Sequence, residues 1–266
     1  MALTWSGNGR GTAVLLHGMM SLAGTWWQIG PALAERGWDV TALDLAAHGG
    51  NRLDGPLTVD ALVDSVTGQV PGPVDLLVGH SMGAATAIST AARRPGFARA
   101  VVLEDPPGGG SVSSEQLANG VELDSDIARL DRDRLVRRSR ADHPTWAPED
   151  VEQDVRGIEE ADATAVAAGI RTGLRGWDVP ALVAAVEVPV LVLVAPDTRS
   201  QDPDRPGSAL SGDARAAVRA ALPPERFVEL PGGHCLHRDL PQEWLAAVDT
   251  FTSTALPARR GSAGWS

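Results

Sequence analysis

Short apolar runs alternate with longer stretches of helical spacing through the first 107 positions, and no other feature restricts the fold as tightly. The runs at 12–16, 40–43, 74–78 and 100–103 read as buried strands. Between them, 25–36, 58–69 and 84–94 read as helices, stopped respectively at Gly37, Pro71-Gly72-Pro73 and Pro95. Such an alternation predicts an α/β fold, a mostly parallel sheet with helices on both faces and ligands at the carboxyl ends of the strands. Every strand gives way there to a turn rich in chemistry: His17-Gly18, 44–50, Gly79-His80-Ser81-Met82-Gly83 and Glu104-Asp105-Pro106-Pro107. The alternation then breaks. Residues 108–178 carry many charges and helix-like pieces at 125–140 and 148–168, with no convincing strand, before a strand at 189–195, a helix at 213–222, a strand at 226–230 and a helix at 241–255. The pattern predicts a core over 1–107 and 179–256, a helical cap or lid over 108–178 and a frayed tail over 257–266. With a scrap of strand at 3–5, the sheet should hold about six or seven strands.

Composition narrows the chemistry. All 23 basic residues are arginine, and the 266 residues include no lysine and no tyrosine. Schiff-base and pyridoxal chemistry, a phosphate-loop lysine and a tyrosyl acid are thereby excluded. A net charge of −11 repels phosphate backbones and anionic lipid, so neither nucleic acid nor membrane is an expected partner. Residues 1–16 lack the basic start and long apolar core of a signal peptide, and the apolar run at 188–195 is far shorter than the ~20 residues of a membrane helix. One cysteine, Cys235, cannot form an intrachain disulfide. A cytoplasmic location is the expectation; oligomeric state is left open.

Gly79-His80-Ser81-Met82-Gly83 fits G-x-S-x-G. By itself that pattern is weak, but here it follows an apolar strand and opens an alanine-rich helix, the strand–turn–helix a nucleophile elbow requires. A serine hydroxyl needs a base within hydrogen-bond reach. Of six histidines, His234 in Pro231-Gly232-Gly233-His234 lies on a loop after the last strand, long enough to reach across; His237 is its rival.

His17-Gly18, Gly79-His80-Ser81-Met82-Gly83 and Gly233-His234, in that order and spacing, resemble the α/β-hydrolase family over nearly the whole chain. The resemblance implies a cofactor-free, metal-free serine hydrolase: Ser81 as nucleophile, His234 as base, and the backbone N–H groups of Met19 and Met82 as oxyanion donors. It places the acid after either of two strands, at Asp105 or Asp197. Glu104-Asp105-Pro106-Pro107 resembles the acid position of the family's lactone hydrolases and favours Asp105, with Asp197 the alternative and Glu104 a remainder. Trp26 and Trp146 are expected to line part of a ligand cleft. The expected reaction is cleavage of a small hydrophobic carboxylic ester or lactone through an acyl-enzyme. Perhydrolase or C–C bond hydrolase activity could use the same triad, and a non-catalytic small-ligand receptor on the same fold is the alternative of another class. Relatives that attack with aspartate where Ser81 stands, or that use a lysine, are excluded by the residues present.

Overall fold

A computed structural model describes residues 2–109, 112–174, 176–197 and 207–256; the expected tail at 257–266 lies outside them. Seven strands form one sheet: β1 (Ala2–Trp5), β2 (Gly11–Leu16), β3 (Trp38–Leu43), β4 (Val74–His80), β5 (Ala98–Glu104), β6 (Val190–Val194) and β7 (Phe227–Glu229). Their spatial order is β1-β3-β2-β4-β5-β6-β7, all parallel except β1, which pairs antiparallel with β3. All seven residues of β4 are buried, as a central strand covered on both faces must be.

The two-residue period of the strands sorts their side chains into two cores. Leu16, Leu43, Leu77, Val101 and Val192 face one core with α2 (Val59–Gln69), α3 (Met82–Arg93) and α8 (Val179–Ala185). Leu15, Leu76, Val102 and Leu191 face the other, with α1 (Ile29–Glu35) and α11 (Pro241–Ala255). Each fully buried leucine stabilises this arrangement by roughly 1.5–3 kcal/mol relative to exposure.

Among the described residues, five helices stand between β5 and β6: α8 and, before it, the four of the insertion, α4 (Ser114–Leu130), α5 (Arg132–Asp142), α6 (Pro148–Glu160) and α7 (Ala163–Thr172). The predicted helix at 125–140 is two helices, because the Asp131 side chain accepts the Arg134 N–H and caps a fresh start. Asp162 likewise accepts the Ala165 N–H and divides the predicted 148–168 helix. The predicted 25–36 helix opens instead as a single 3₁₀ turn, Ala23–Trp26, before α1. The insertion docks on loops at the carboxyl edge of the sheet: the Asp162 N–H donates to Ala47 O at 2.7 Å, and the Gly50 N–H to Glu160 O at 3.0 Å. After β6 come α9 (Gly212–Ala220), β7, the four-residue α10 (Leu236–Asp239) and α11. Neither α8 nor α10 is foreseen from the sequence; both are shorter than the eight or so residues that show a clear helical period. Among the described residues, no helix is long and apolar enough to cross a membrane.

Candidate active site

The chain runs outward from β2 to β3 on one side and returns to β4 on the other, so the strand order reverses between β2 and β4. The crevice beyond a reversal of this kind is where open α/β sheets bind ligands. Ser81 stands there, between β4 and α3, with φ of 53° and ψ of −116°. Such a backbone costs a non-glycine residue about 1–3 kcal/mol. Close packing enforces it: a Cβ on Gly79 would collide with the Gly83 carbonyl, and one on Gly83 with the carbonyl of Leu16. Among the described residues the other positive-φ positions that are not glycine, Met20, Ala47 and Asp105, lie just beyond β2, β3 and β5, so the strain gathers at one edge of the sheet.

Asp105 follows β5 and is wholly buried. Among the described residues four donors converge on its carboxylate: the His234 imidazole through Nδ1 at 2.6 Å, the Ala209 N–H at 2.8 Å, the Ala195 N–H at 3.3 Å and the Ser208 hydroxyl. A carboxylate on Nδ1 fixes the tautomer and leaves Nε2 of His234 as the free, basic nitrogen. Asp197 is elsewhere, accepting the Gly212 N–H at the start of α9 at 3.2 Å. His80 joins the Ser81 turn to the His234 loop: its Nε2–H donates to the His234 carbonyl at 3.0 Å, and the two rings lie 4.7 Å apart. Among the described residues the Ser81 hydroxyl makes no hydrogen bond, so its link to His234 is not closed in this structure; such contacts are often long without substrate.

A second hydrogen-bonded set lies beneath. His80 and Glu104 are register partners on β4 and β5, each one residue before Ser81 and Asp105. Glu104 accepts the backbone and ring N–H groups of His237 at 3.0 and 2.7 Å with one oxygen and the Trp244 indole at 2.9 Å with the other. His237 Nε2 in turn meets the Thr25 hydroxyl at 2.8 Å. His80, Glu104 and His237 place their ligating atoms within 4.8 Å of one another. Both Glu104 oxygens and both His237 nitrogens are nonetheless engaged by protein groups, so the trio fits a structural network better than a metal. Burial raises the pKa of Glu104 and holds those of His80 and His237 well below the usual histidine range. The sequence singled out Glu104 and His237 as rivals for the site; the fold pairs them with each other.

Two further histidines hold the turn after β2. The Leu45 N–H donates to His17 Nε2 at 3.0 Å and the Met20 N–H to His48 Nε2 at 3.1 Å. Burial lowers their pKa values to about 4 and about 3, so both are neutral acceptors at pH 7. Among the described residues the Met19 N–H has no acceptor, and the Met82 N–H, first in α3, is one a helix leaves unsatisfied. Both residues border a cavity of about 280 Å³ that contains Ser81. Its walls come from Pro107, Gly108 and Ala209 on the core side and from Leu117, Ile170 and Trp177 on the other. A wider hollow of about 390 Å³, bounded by Arg52, Asp126, Arg129 and Glu159, holds neither serine nucleophile nor histidine.

The two expected cleft tryptophans are not on these walls. Trp26 is fully buried, its ring 4.4 Å from His237 and 6.0 Å from Trp244, because the 3₁₀ turn drives it into the core beneath the sheet. Trp146 is covered by polar neighbours: it stacks on His143 at 3.7 Å, lies under the Arg238 guanidinium at 4.5 Å, and donates its indole N–H to Asp239 at 2.6 Å. Trp177, which the sequence places in the cap without a role, does face the cavity. Ser208 on Asp105 was beyond sequence reasoning, since nothing local distinguishes it within a polar loop.

This fold is that of a class of hydrolases, and the sequence agrees: a model of the Alpha/beta hydrolase family matches residues 13–248, and the chain belongs to that family. Lipase LipV of Mycobacterium tuberculosis is 35% identical over 103 residues, 37% of this chain and 38% of the lipase; the chain thus spans little more than a third of that relative's length. Among solved structures, a thermophilic esterase from Thermogutta terrifontis superposes with a TM-score of 0.71 at 19% identity, covering 96% of this chain and 93% of the esterase. The enol-lactonase from Burkholderia xenovorans gives 0.66 at 19% identity, covering 95% and 96%. At these identities the structural likeness speaks for the fold alone.

Proposed function

We propose that the protein is a serine hydrolase that cleaves a small, hydrophobic carboxylic ester or lactone. The observation that carries this reading is the 2.6 Å contact between His234 Nδ1 and the buried Asp105 carboxylate, on the same sheet edge as the strained Ser81 turn. In this reading Ser81 Oγ attacks the substrate carbonyl as its proton passes to His234 Nε2. The N–H groups of Met19 and Met82 hold the oxyanion, and His234 returns the proton to the departing alcohol. Water, deprotonated by the same imidazole, then attacks the acyl-enzyme; the acid leaves and Ser81 recovers its proton. For a lactone, the leaving alcohol stays tethered to the acyl group. The insertion of α4–α7 serves as the lid, since its Leu117 and Ile170 help to wall the cavity. Among the described residues no charged side chain borders that cavity, which favours an uncharged acyl portion. The relatives named a lipase, an esterase and an enol-lactonase are consistent with this class of reaction.

The test is turnover of p-nitrophenyl butyrate together with fluorophosphonate labelling. Ser81→Ala should lose turnover by about 10⁶-fold in kcat and lose labelling, with an unchanged melting temperature. Full activity in Ser81→Ala would exclude the reading. Labelling without multiple turnover in the wild type would instead favour a ligand receptor.

A further inference from the structure

We infer that Asp239 is a positioning residue for the reaction, tying the His234 loop to the helical insertion through the indole N–H of Trp146. The inference rests on the reading of His234 as the base. Asp239 closes α10, the short helix that begins two residues after His234. Its Oδ2 accepts the N–H of Gly233, the residue immediately before His234, at 2.6 Å. Its Oδ1 accepts the Trp146 Nε1–H, also at 2.6 Å, from the segment between α5 and α6. One carboxylate therefore holds both the base loop and the insertion.

The loop needs such a tie. Gly232-Gly233 is the least restricted kind of backbone, and without an anchor it would let the imidazole wander by more than a hydrogen bond tolerates. His234 is bracketed on three sides: by Asp105 at its ring, by the His80 N–H at its own carbonyl, and by Asp239 through the preceding N–H. The first two anchors belong to the sheet. Asp239 alone of the three also reaches the insertion. Arg238 doubles the link, for its Nε–H donates to Thr25 Oγ1 at 3.0 Å, its Nη1–H to Asp154 on α6 at 3.2 Å, and its guanidinium covers the Trp146 ring. Neither Trp146 nor Asp239 borders the cavity with Ser81, so losing this tie should slow the chemical steps without weakening substrate binding.

The test uses two conservative changes. Asp239→Asn keeps the shape but offers one acceptor oxygen and an NH₂, so it cannot serve two donors. Trp146→Phe keeps a ring against His143 and Arg238 and removes only the N–H. Steady-state kinetics on p-nitrophenyl butyrate are measured well below the melting temperature of each variant. The expected result is a fall in kcat of about tenfold for Asp239→Asn and roughly threefold or more for Trp146→Phe, with KM within about twofold of wild type. The double variant should be no slower than Asp239→Asn alone, because both changes break the same tie. Wild-type kcat in both single variants, losses confined to KM, or multiplicative losses in the double variant would each overturn the inference. If Asp239→Asn does not fold, Trp146→Phe decides by itself, with a kcat within about twofold of wild type overturning the inference. Ser81→Ala separates the two levels: a dead Ser81→Ala beside fully active Asp239 and Trp146 variants sinks only the positioning role, whereas an active Ser81→Ala sinks the hydrolase reading beneath it.

Discussion

Asp105 and Asp197 follow neighbouring parallel strands, and the sequence favours Asp105 with Asp197 as the alternative; the fold gives them different work. Asp105 is turned by a φ of 42° so that its side chain gathers several donors, His234 among them. Asp197 meets the first N–H of α9 instead. Asp105→Asn would point an amide N–H at His234 Nδ1 and favour the wrong tautomer. It should lower kcat by about 10³–10⁴-fold, while Asp197→Asn stays within about twofold, both measured on one ester. Equal losses, or the reverse order, would move the acid. At this scale the turns that carry Ser81 and His234 were legible because the glycines around them mark tight turns within a few residues. Trp26 and Trp146 were misread for the opposite reason. An aromatic ring is driven by burial, and whether it meets a cleft or a core depends on segments far away in sequence, here His237 and Trp244 for one and Asp239 for the other.

Between elements, the contact that matters most to the site is α6 against the turn after β2. Gly157 makes it close: a Cβ there would lie 2.5 Å from the Met20 carbonyl oxygen and 2.6 Å from Ser21 Cα. Both atoms are backbone and cannot step aside cheaply, and Met20 already sits at a φ of 55°. Gly157→Ala should push α6 outward and disturb the neighbouring Met19 N–H. The expected cost is about 1–3 kcal/mol of stability, read from the urea midpoint, together with a fall in kcat. An alanine variant as stable and as active as wild type would show that the contact yields. Elements with a strong period, such as the strands of the central sheet and α11, were legible; the predicted bounds of that helix, 241–255, are those of α11. The insertion was legible only as helical. Asp131 and Asp162 carry the signal that splits its helices, but many aspartates in so acidic a stretch could cap, and only the folded backbone selects these two.

Over the whole molecule, buried neutral histidines make stability depend on pH. His17 and His48 have pKa values of about 4 and about 3 in the fold, lowered chiefly by burial, against about 6.5 in an unfolded chain. Above pH ~6.5 neither state binds the proton, and nothing is lost. As pH falls from there toward 4, the unfolded chain takes up protons that the folded one refuses, and stability declines; for His17 alone the loss is on the order of 3 kcal/mol. His80 and His237 act in the same direction, while Glu104, raised by burial, opposes them. Urea midpoints should therefore drop steadily from pH 6.5 to 4. A constant midpoint across that interval would contradict neutral, buried imidazoles. What the sequence determined by itself was the layered α/β architecture and the local turns that display Ser81 and His234, because strand period, helix period and glycine-bearing turns are written in neighbouring residues. The tertiary structure decided the partner of His234, the pairing of Glu104 with His237, and the seat of Trp146 on Asp239. Each of these contacts joins residues roughly ninety to more than a hundred and thirty positions apart. Burial and hydrogen-bond geometry between such residues exist only once the sheet has brought the ends of its strands to a common edge.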